Sequence, residues 1–326
     1  MHKVLVTGGA GFVGRHFVRR LLEAGDEVHC VDNVVPMTGG IAPKNWPLFN
    51  PLDFSNFHYY YEDCRNFFTR VRDRDFDYCF HLAAVVGGRL MIENNPLAVA
   101  DDLSIDAAYW QWAVKAQPRK TLCFSSSAAY PIKYQQRENY VLLKEDMISF
   151  DMDVGMPDMS YGWSKLTCEY LTKLAYQKHG LLSVVYRPFS GYGEDQDDSY
   201  PFPGICKRVL AHRGESVLHV WGCGQQMRDF IHIEDCVTAV LATMDKIDDA
   251  SAVNLCTGIY CSFIEFAQMA VEIAGYFAEV KGMSDKPEGV FARAGDPEKL
   301  RSLGFTHSID FKDGIQRALE YYSKDY

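Results

Sequence analysis

A short β-branched run, Lys3–Thr7, feeds directly into Gly8-Gly9-Ala10-Gly11-Phe12-Val13-Gly14. No other feature of the chain limits its fold as strongly. Gly8, Gly11 and Gly14 make a Gly-x-x-Gly-x-x-Gly spacing, which lets the backbone turn tightly and approach a pyrophosphate seated on the N-terminus of the next helix. That helix is expected over Arg15–Ala24, where Phe17, Val18, Leu21 and Leu22 recur at helical spacing and Gly25 ends the pattern. Glu27–Val31 reads as a second strand. The glycine spacing alone is common. Set between a strand and a helix it opens a parallel α/β sheet and forms a nucleotide-binding turn.

The rhythm continues. Phe57–Tyr61, Tyr78–Leu82, Leu122–Ser125 and Leu182–Tyr186 read as strands, the last stopped by Pro188. Leu97–Lys115 and Ser160–His179 read as helices, with Leu166, Tyr170 and Leu174 on one stripe of the second. The expected fold class is α/β, a Rossmann-type doubly wound parallel sheet with a smaller C-terminal substrate-binding domain. Residues 1–187 are assigned to the dinucleotide-binding domain, with a return segment near 230–258 because Ala252–Leu255 reads as a strand rejoining the sheet. Residues 188–326 are assigned mainly to the substrate-binding domain, entered through the acidic turn Glu194–Ser199 and a helix over Ile205–Arg213. Pro36–Asn56 holds four prolines and is too long for an ordinary connection. It and the irregular Gln135–Met159 either line a ligand crevice or cover the surface.

The formal net charge of the 326 residues is -10, which argues against non-specific nucleic-acid or anionic-membrane partners. No apolar run approaches the roughly 18 residues that span a bilayer. Met1-His2-Lys3 leads straight into a strand, so a cytoplasmic protein without signal peptide is expected. The 10 cysteines are scattered without a Cys-x-x-Cys pair, so neither a disulfide framework nor a metal site is expected.

Asp32 lies 18 residues past Gly14 at the end of the second strand. A carboxylate there accepts hydrogen bonds from adenosine ribose hydroxyls and repels a 2′-phosphate; Asn33 and Val34 add no positive charge, so NAD is expected rather than NADP. Ser126 follows a strand, and Tyr161 and Lys165 stand four apart on a helix, on one face. A lysine ammonium beside a phenol stabilises the phenolate and draws its pKa down from about 10 toward neutrality, giving a base for an alcohol proton. In this reading Ser126 hydrogen-bonds a substrate hydroxyl, Tyr161 takes its proton, and Lys165 holds the cofactor ribose while hydride leaves for the nicotinamide.

At these residues the chain resembles the extended short-chain dehydrogenase/reductase family of nucleotide-sugar epimerases and dehydratases, over nearly its whole length. Thr7–Gly14 matches the family's opening turn, and Asp63 in Glu62-Asp63-Cys64-Arg65 its adenine contact. His81-Leu82-Ala83-Ala84 matches its fourth strand, Arg228–Asp235 its substrate-domain signature, and Gly295-Asp296-Pro297 through Phe305 its C-terminal pattern. The resemblance implies a cofactor contact set of Gly8, Gly11, Phe12, Val13, Gly14, Asp32, Asn33, Asp63, Cys64, Leu82, Ala83, Ala84, Tyr161, Lys165 and Pro188. It also implies a nucleoside diphosphate sugar, GDP- or UDP-linked, with Arg228 on the diphosphate and Arg293 as a second candidate. Gly87, Gly88, Ser127, Ser190 and Ser199 are then candidate sugar contacts. Homodimers, common in the family, would form through roughly Leu97–Lys115 and Ser160–His179.

Val86-Gly87-Gly88 and Ala129-Tyr130-Pro131 are similar to GDP-fucose synthase and GDP-mannose 3,5-epimerase. Their acid/base cysteine and histidine or lysine are replaced here by Ala128 and Ser199. The Asp-Glu pair of the 4,6-dehydratases reads Ser127-Ala128, and the decarboxylase glutamate is Ala128. Asp102 stands where an asparagine near the cofactor is common, and Ser190 where a substrate-contacting asparagine is. What survives is oxidation at the sugar C4, as a 4-epimerase or as a 4-dehydrogenase that releases the keto sugar. A non-catalytic NAD-binding regulator is disfavoured because Tyr161 and Lys165 are both present.

Overall fold

The computed structural model describes residues 1–71, 75–283, 285–286 and 288–325. Seven strands form one parallel sheet: β1 (Lys3–Thr7), β2 (Glu27–Asp32), β3 (Phe57–Tyr61), β4 (Tyr78–His81), β5 (Lys120–Phe124), β6 (Ser183–Pro188) and β7 (Asp249–Leu255). Their order across the sheet is β7-β6-β5-β4-β1-β2-β3, with every neighbouring pair parallel. The order reverses between β1 and β4, and in such sheets ligands bind outside the strand C-termini at that point.

Alternation along the strands builds a core on each face. Val4, Val6, Phe80 and Leu122 pack with Phe17 and Leu21 of α1 (Phe12–Glu23). Leu5, Cys79 and Cys123 point the other way, toward Phe67 of α2 (Cys64–Arg70). A short α3 (Arg89–Asn94) precedes α4 (Ala100–Ala116), whose Tyr109 and Ala113 join that second core, and α5 (Met159–His179) packs beside α4 through Cys168 and Ala175. The helix read over Leu97–Lys115 therefore begins later, at Ala100, with α3 as a separate turn before it. Gly180, at φ 66°, ends α5 in the left-handed conformation that favours glycine.

Beyond β6 the chain forms α6 (Pro201–Ala211), returns through α7 (Ile233–Thr243) to β7, and continues with α8 (Phe263–Ile273), α9 (Glu298–Ser302) and α10 (Phe311–Tyr322). Phe202, Phe230, Phe266 and Ile315 centre a separate core here. Three differences from the sequence reading have local causes. The helix α6 starts at Pro201 rather than Ile205, because proline is tolerated in a first turn whose N–H groups lack intrahelical partners. Pro188 ends β6 from inside, paired with Leu255. The strand β7 starts at Asp249, where a register shift beside Ala250 (φ 62°) hides the pattern. The Pro36–Asn56 segment folds as three single turns anchored by Trp46, which is buried against the α1 side of the core and donates its indole N–H to the Ile41 carbonyl at 2.7 Å. No helix among the described residues is long and apolar enough to cross a membrane.

Candidate active site

At the switch point the glycine turn meets the end of β4. Gly8 has φ 72°, and a Cβ there would lie 2.6 Å from the Ala83 nitrogen, so only glycine fits. Gly11 caps α1, and Phe12, Val13 and Gly14 form its first turn, with the Phe12 and Val13 side chains against the core. Gly8, Asp32, Asn33, Asp63, Cys64, Ala83 and Ala84 line one cavity of about 170 Å³, with Leu82 just before it at the β4 end. The Asp32 carboxylate accepts from Ala10 N–H at 3.0 Å and Val34 N–H at 2.7 Å, one bond per oxygen. Burial pushes its pKa up, against the pull of those two N–H groups. A carboxylate oxygen has lone pairs to spare after one bond, so two ribose hydroxyls fit. Asp63 caps α2 and is paired with Arg65, which holds its pKa down. Arg65 is a cation on this cavity that the sequence reading passed over; its charge is engaged by Asp63.

Three predicted catalytic groups converge. Ser126 caps the turn after β5, accepting the Ala128 N–H at 3.1 Å, and lies near enough to the Tyr161 phenol to pull its pKa down. Lys165, one turn along α5, lies with Nζ 5.8 Å from the Tyr161 ring centre. Burial works against the Lys165 charge, yet Tyr161, Asp102 and Asp106 outweigh it and push its pKa up. Tyr161 departs from the sequence expectation. Burial pushes its pKa up and Asp102 adds to that, while Lys165 and Ser126 pull it down without prevailing. The protein alone thus does not set the phenol near neutrality.

Asp102 is the reason in part. Its carboxylate is buried on α4, accepts the Val85 N–H and accepts the Ser164 hydroxyl at 3.2 Å, tying the loop after β4 to α5. Burial pushes its pKa up to about 6, and Lys165 restrains the rise. Tyr200, which the sequence reading did not single out, stands close enough to Tyr161 for the two phenolates to repel.

The predicted substrate residues divide. Ser127 is buried in the turn after Ser126, while Pro188, expected as a cofactor contact, ends β6. Gly87 and Gly88 precede α3, and a Cβ on Gly88 would lie 2.2 Å from the Ser199 carbonyl oxygen, so a bare backbone is required where the two loops meet. The Ser199 side chain itself is exposed, and Ser190 sits in a short strand paired with Phe230. Arg228 and Arg293 are register partners on neighbouring strands. Arg228 Nη1 donates to the Met227 and Val290 carbonyls at 2.8 and 3.1 Å, and burial with repulsion from Arg293 pushes its pKa down to about 9. Arg293 donates to Asp158 at 2.7 Å and to Gln135 at 2.6 Å. Its ion pair is half-buried rather than a surface bridge. Two members of this cluster were missed: Asp158, at the α5 N-terminus, and Arg89, which donates to it at 3.2 Å.

Residues 4–256 match the NAD dependent epimerase/dehydratase family, and the chain belongs to that family. It is 28% identical over 335 residues to an uncharacterised UDP-glucose epimerase of Bacillus subtilis, covering 99% of each chain. It is 25% identical to GDP-L-fucose synthase 1 of Arabidopsis thaliana, over 99% of this chain and 94% of that one. The solved UDP-glucose 4-epimerase of Thermotoga maritima, with UDP-glucose, superposes with a TM-score of 0.81 at 26% identity over 99% of both chains. A dTDP-glucose 4,6-dehydratase of Streptomyces venezuelae shares the fold, at a TM-score of 0.82 and 20% identity over 99% of this chain and 97% of that one. The family's cofactor is NAD, and the Gly8 cradle and the Asp32 carboxylate fit its pyrophosphate and ribose.

Proposed function

We propose that this enzyme is a nucleotide-sugar 4-epimerase working through a 4-keto sugar. One observation supports the reading above all: Ser126, Tyr161 and Lys165 converge beside the cofactor cleft, while the two positions after Ser126 hold Ser127 and Ala128 rather than a carboxyl pair or a thiol. A proton shuttle at one hydroxyl is therefore the chemistry this site is equipped for.

Bound NAD supplies the hydride acceptor and a positively charged ring. Asp32 holds the adenosine ribose, and Lys165 the nicotinamide ribose. Arg228 and Arg293 grip the diphosphate and leave the sugar over Tyr161. Ser126 orients the C4 hydroxyl, Tyr161 takes its proton, and Lys165 together with the cationic ring draws the Tyr161 pKa down as the proton moves. The same phenol returns the proton after the keto sugar has turned over in the site. The exposed Leu103, Trp163 and Tyr170 on α4 and α5 suit the expected homodimer.

The test is incubation of the pure enzyme with UDP- and GDP-sugars. The C4 isomer forming without net NADH supports this reading. A released 4-keto sugar with stoichiometric NADH makes it a C4 dehydrogenase instead, and loss of water from the sugar makes it a dehydratase.

A further inference from the structure

Away from the cleft, β2 and β3 bring together three metal-ligating side chains. Glu27 and His29 are two residues apart on β2 and so share a face. His58 on β3 is the register partner of His29, which puts it on that face as well. The Glu27 Oε1 atom lies 2.7 Å from His29 Nε2 and 3.8 Å from His58 Nε2, and one ligand atom from each of the three falls within 4.8 Å of the others. We propose that Glu27, His29 and His58 form a binding site for one divalent transition metal of the zinc class, bridging the edge strand β3 to β2.

The chemistry of the donors fits. Two imidazoles and a carboxylate make a borderline set, with metal–ligand bonds of about 2.0–2.2 Å, so a tetrahedral ion needs its donors roughly 3.3 Å apart. The observed separations bracket that value, and small side-chain rotations close it. The site also has an outer shell. Tyr60, two residues beyond His58 on the same face of β3, places its hydroxyl 3.0 Å from His29 Nδ1, which leaves Nε2 turned toward Glu27. Such a partner fixes the orientation of a ligating imidazole. Phe76 packs edge-on beneath the His29 ring at 5.3 Å.

His58 is exposed, so the fourth position opens to solvent and takes water. Glu27 starts β2 and Asp32 ends it, five residues or roughly 16 Å along the strand. The site therefore clasps the sheet edge rather than serving the cleft, and it stands whether or not the C4 reaction is correct. Cysteine spacing could not reveal it, because the ligands are Glu and His brought together by strand register.

Cobalt chloride titrated into chelator-treated, tag-free full-length protein, followed by visible absorption, tests the proposal, with zinc chloride and magnesium chloride compared by thermal unfolding. The expected result is one equivalent of cobalt with tetrahedral ligand-field bands, and a rise in melting temperature with zinc but not magnesium. His58→Ala, an exposed change, abolishes both while NAD binding is unchanged. Tyr60→Phe, which keeps the ring, weakens cobalt binding about tenfold. The proposal is overturned if the wild-type chain takes up no stoichiometric cobalt, or if His58→Ala takes it up as the wild type does.

Discussion

The sheet end of the cleft and its arginine end carry opposite charge surpluses. At the sheet end a single ammonium, Lys165, faces the carboxyls of Asp102 and Asp106 and the Tyr161 phenol, and all of Lys165, Asp102 and Tyr161 are pushed up in pKa. At the other end Arg89 and Arg293 pair with Asp158, with Glu93 alongside Arg89, Arg228 stands beside Arg293 without an ion pair of its own, and Arg228 and Arg293 are pushed down. Under the proposed function, each end suits a ligand charge of the opposite sign: a cationic ring beside Tyr161 would lower its pKa where the protein alone raises it, and a diphosphate would restore the arginines. Catalysis would then depend on how the ligands complete the field, and not on the Tyr161–Lys165 spacing alone.

The largest effect that sharpens this contrast is at Tyr161. Tyr161→Phe removes the proton shuttle while keeping the ring, so turnover should fall by about 10²–10⁴-fold with NAD binding retained; steady-state kinetics and cofactor titration check this. At the opposite end, Arg228→Ala should raise KM for the nucleotide sugar by about tenfold or more with a smaller change in kcat, because a charge-assisted contact to the diphosphate is lost in ground and transition states alike. If kcat fell and KM held, the division of labour between the two ends would be broken.

A third variant acts on stability rather than turnover and separates charge from shape. Asp102→Asn keeps an acceptor for Val85 N–H and deletes the buried charge. The folded-state pKa of Asp102 is raised from 3.8 to about 6, so its protonated form is favoured by folding. It therefore costs nothing below about pH 4, and its full penalty, roughly 3 kcal/mol at most, is reached above about pH 6. The variant should be more stable than the wild type at neutral pH, with the difference vanishing as pH falls through that window in denaturant titrations. Because Asp102 also raises the Tyr161 pKa, the acidic limb of the activity profile should move to lower pH in the same variant.

Much of this architecture is legible in the sequence, for a physical reason. The strands β1 and β3 fall at their expected bounds because local pattern and tertiary burial agree. The glycine turn is legible because no other residue fits at Gly8. The helix α5 shows the limit. Its expected stripe of Leu166, Tyr170 and Leu174 matches the buried face only in part: Leu166 is buried and Leu174 half-buried, but Tyr170 is 44% exposed, while Lys165, Glu169 and Thr172 are buried. Hydrophobic periodicity fails there because the inward face carries the chemistry. Arg89 and Asp158 were missed because they lie 69 positions apart and meet only across the cleft. The elevated Tyr161 pKa was missed because Asp102 and burial act through space, and spacing records only Lys165.

One labelling experiment tests the central claim most directly. UDP-glucose and GDP-mannose, each deuterated at C4, are given to the NAD-bound enzyme, and the recovered sugar nucleotides are read by mass spectrometry and NMR. The account predicts that one of them yields a product inverted at C4, with its deuterium retained at that carbon and no net NADH. Inversion with the deuterium lost to solvent, or reaction at C3 or C5 with C4 unchanged, would contradict it.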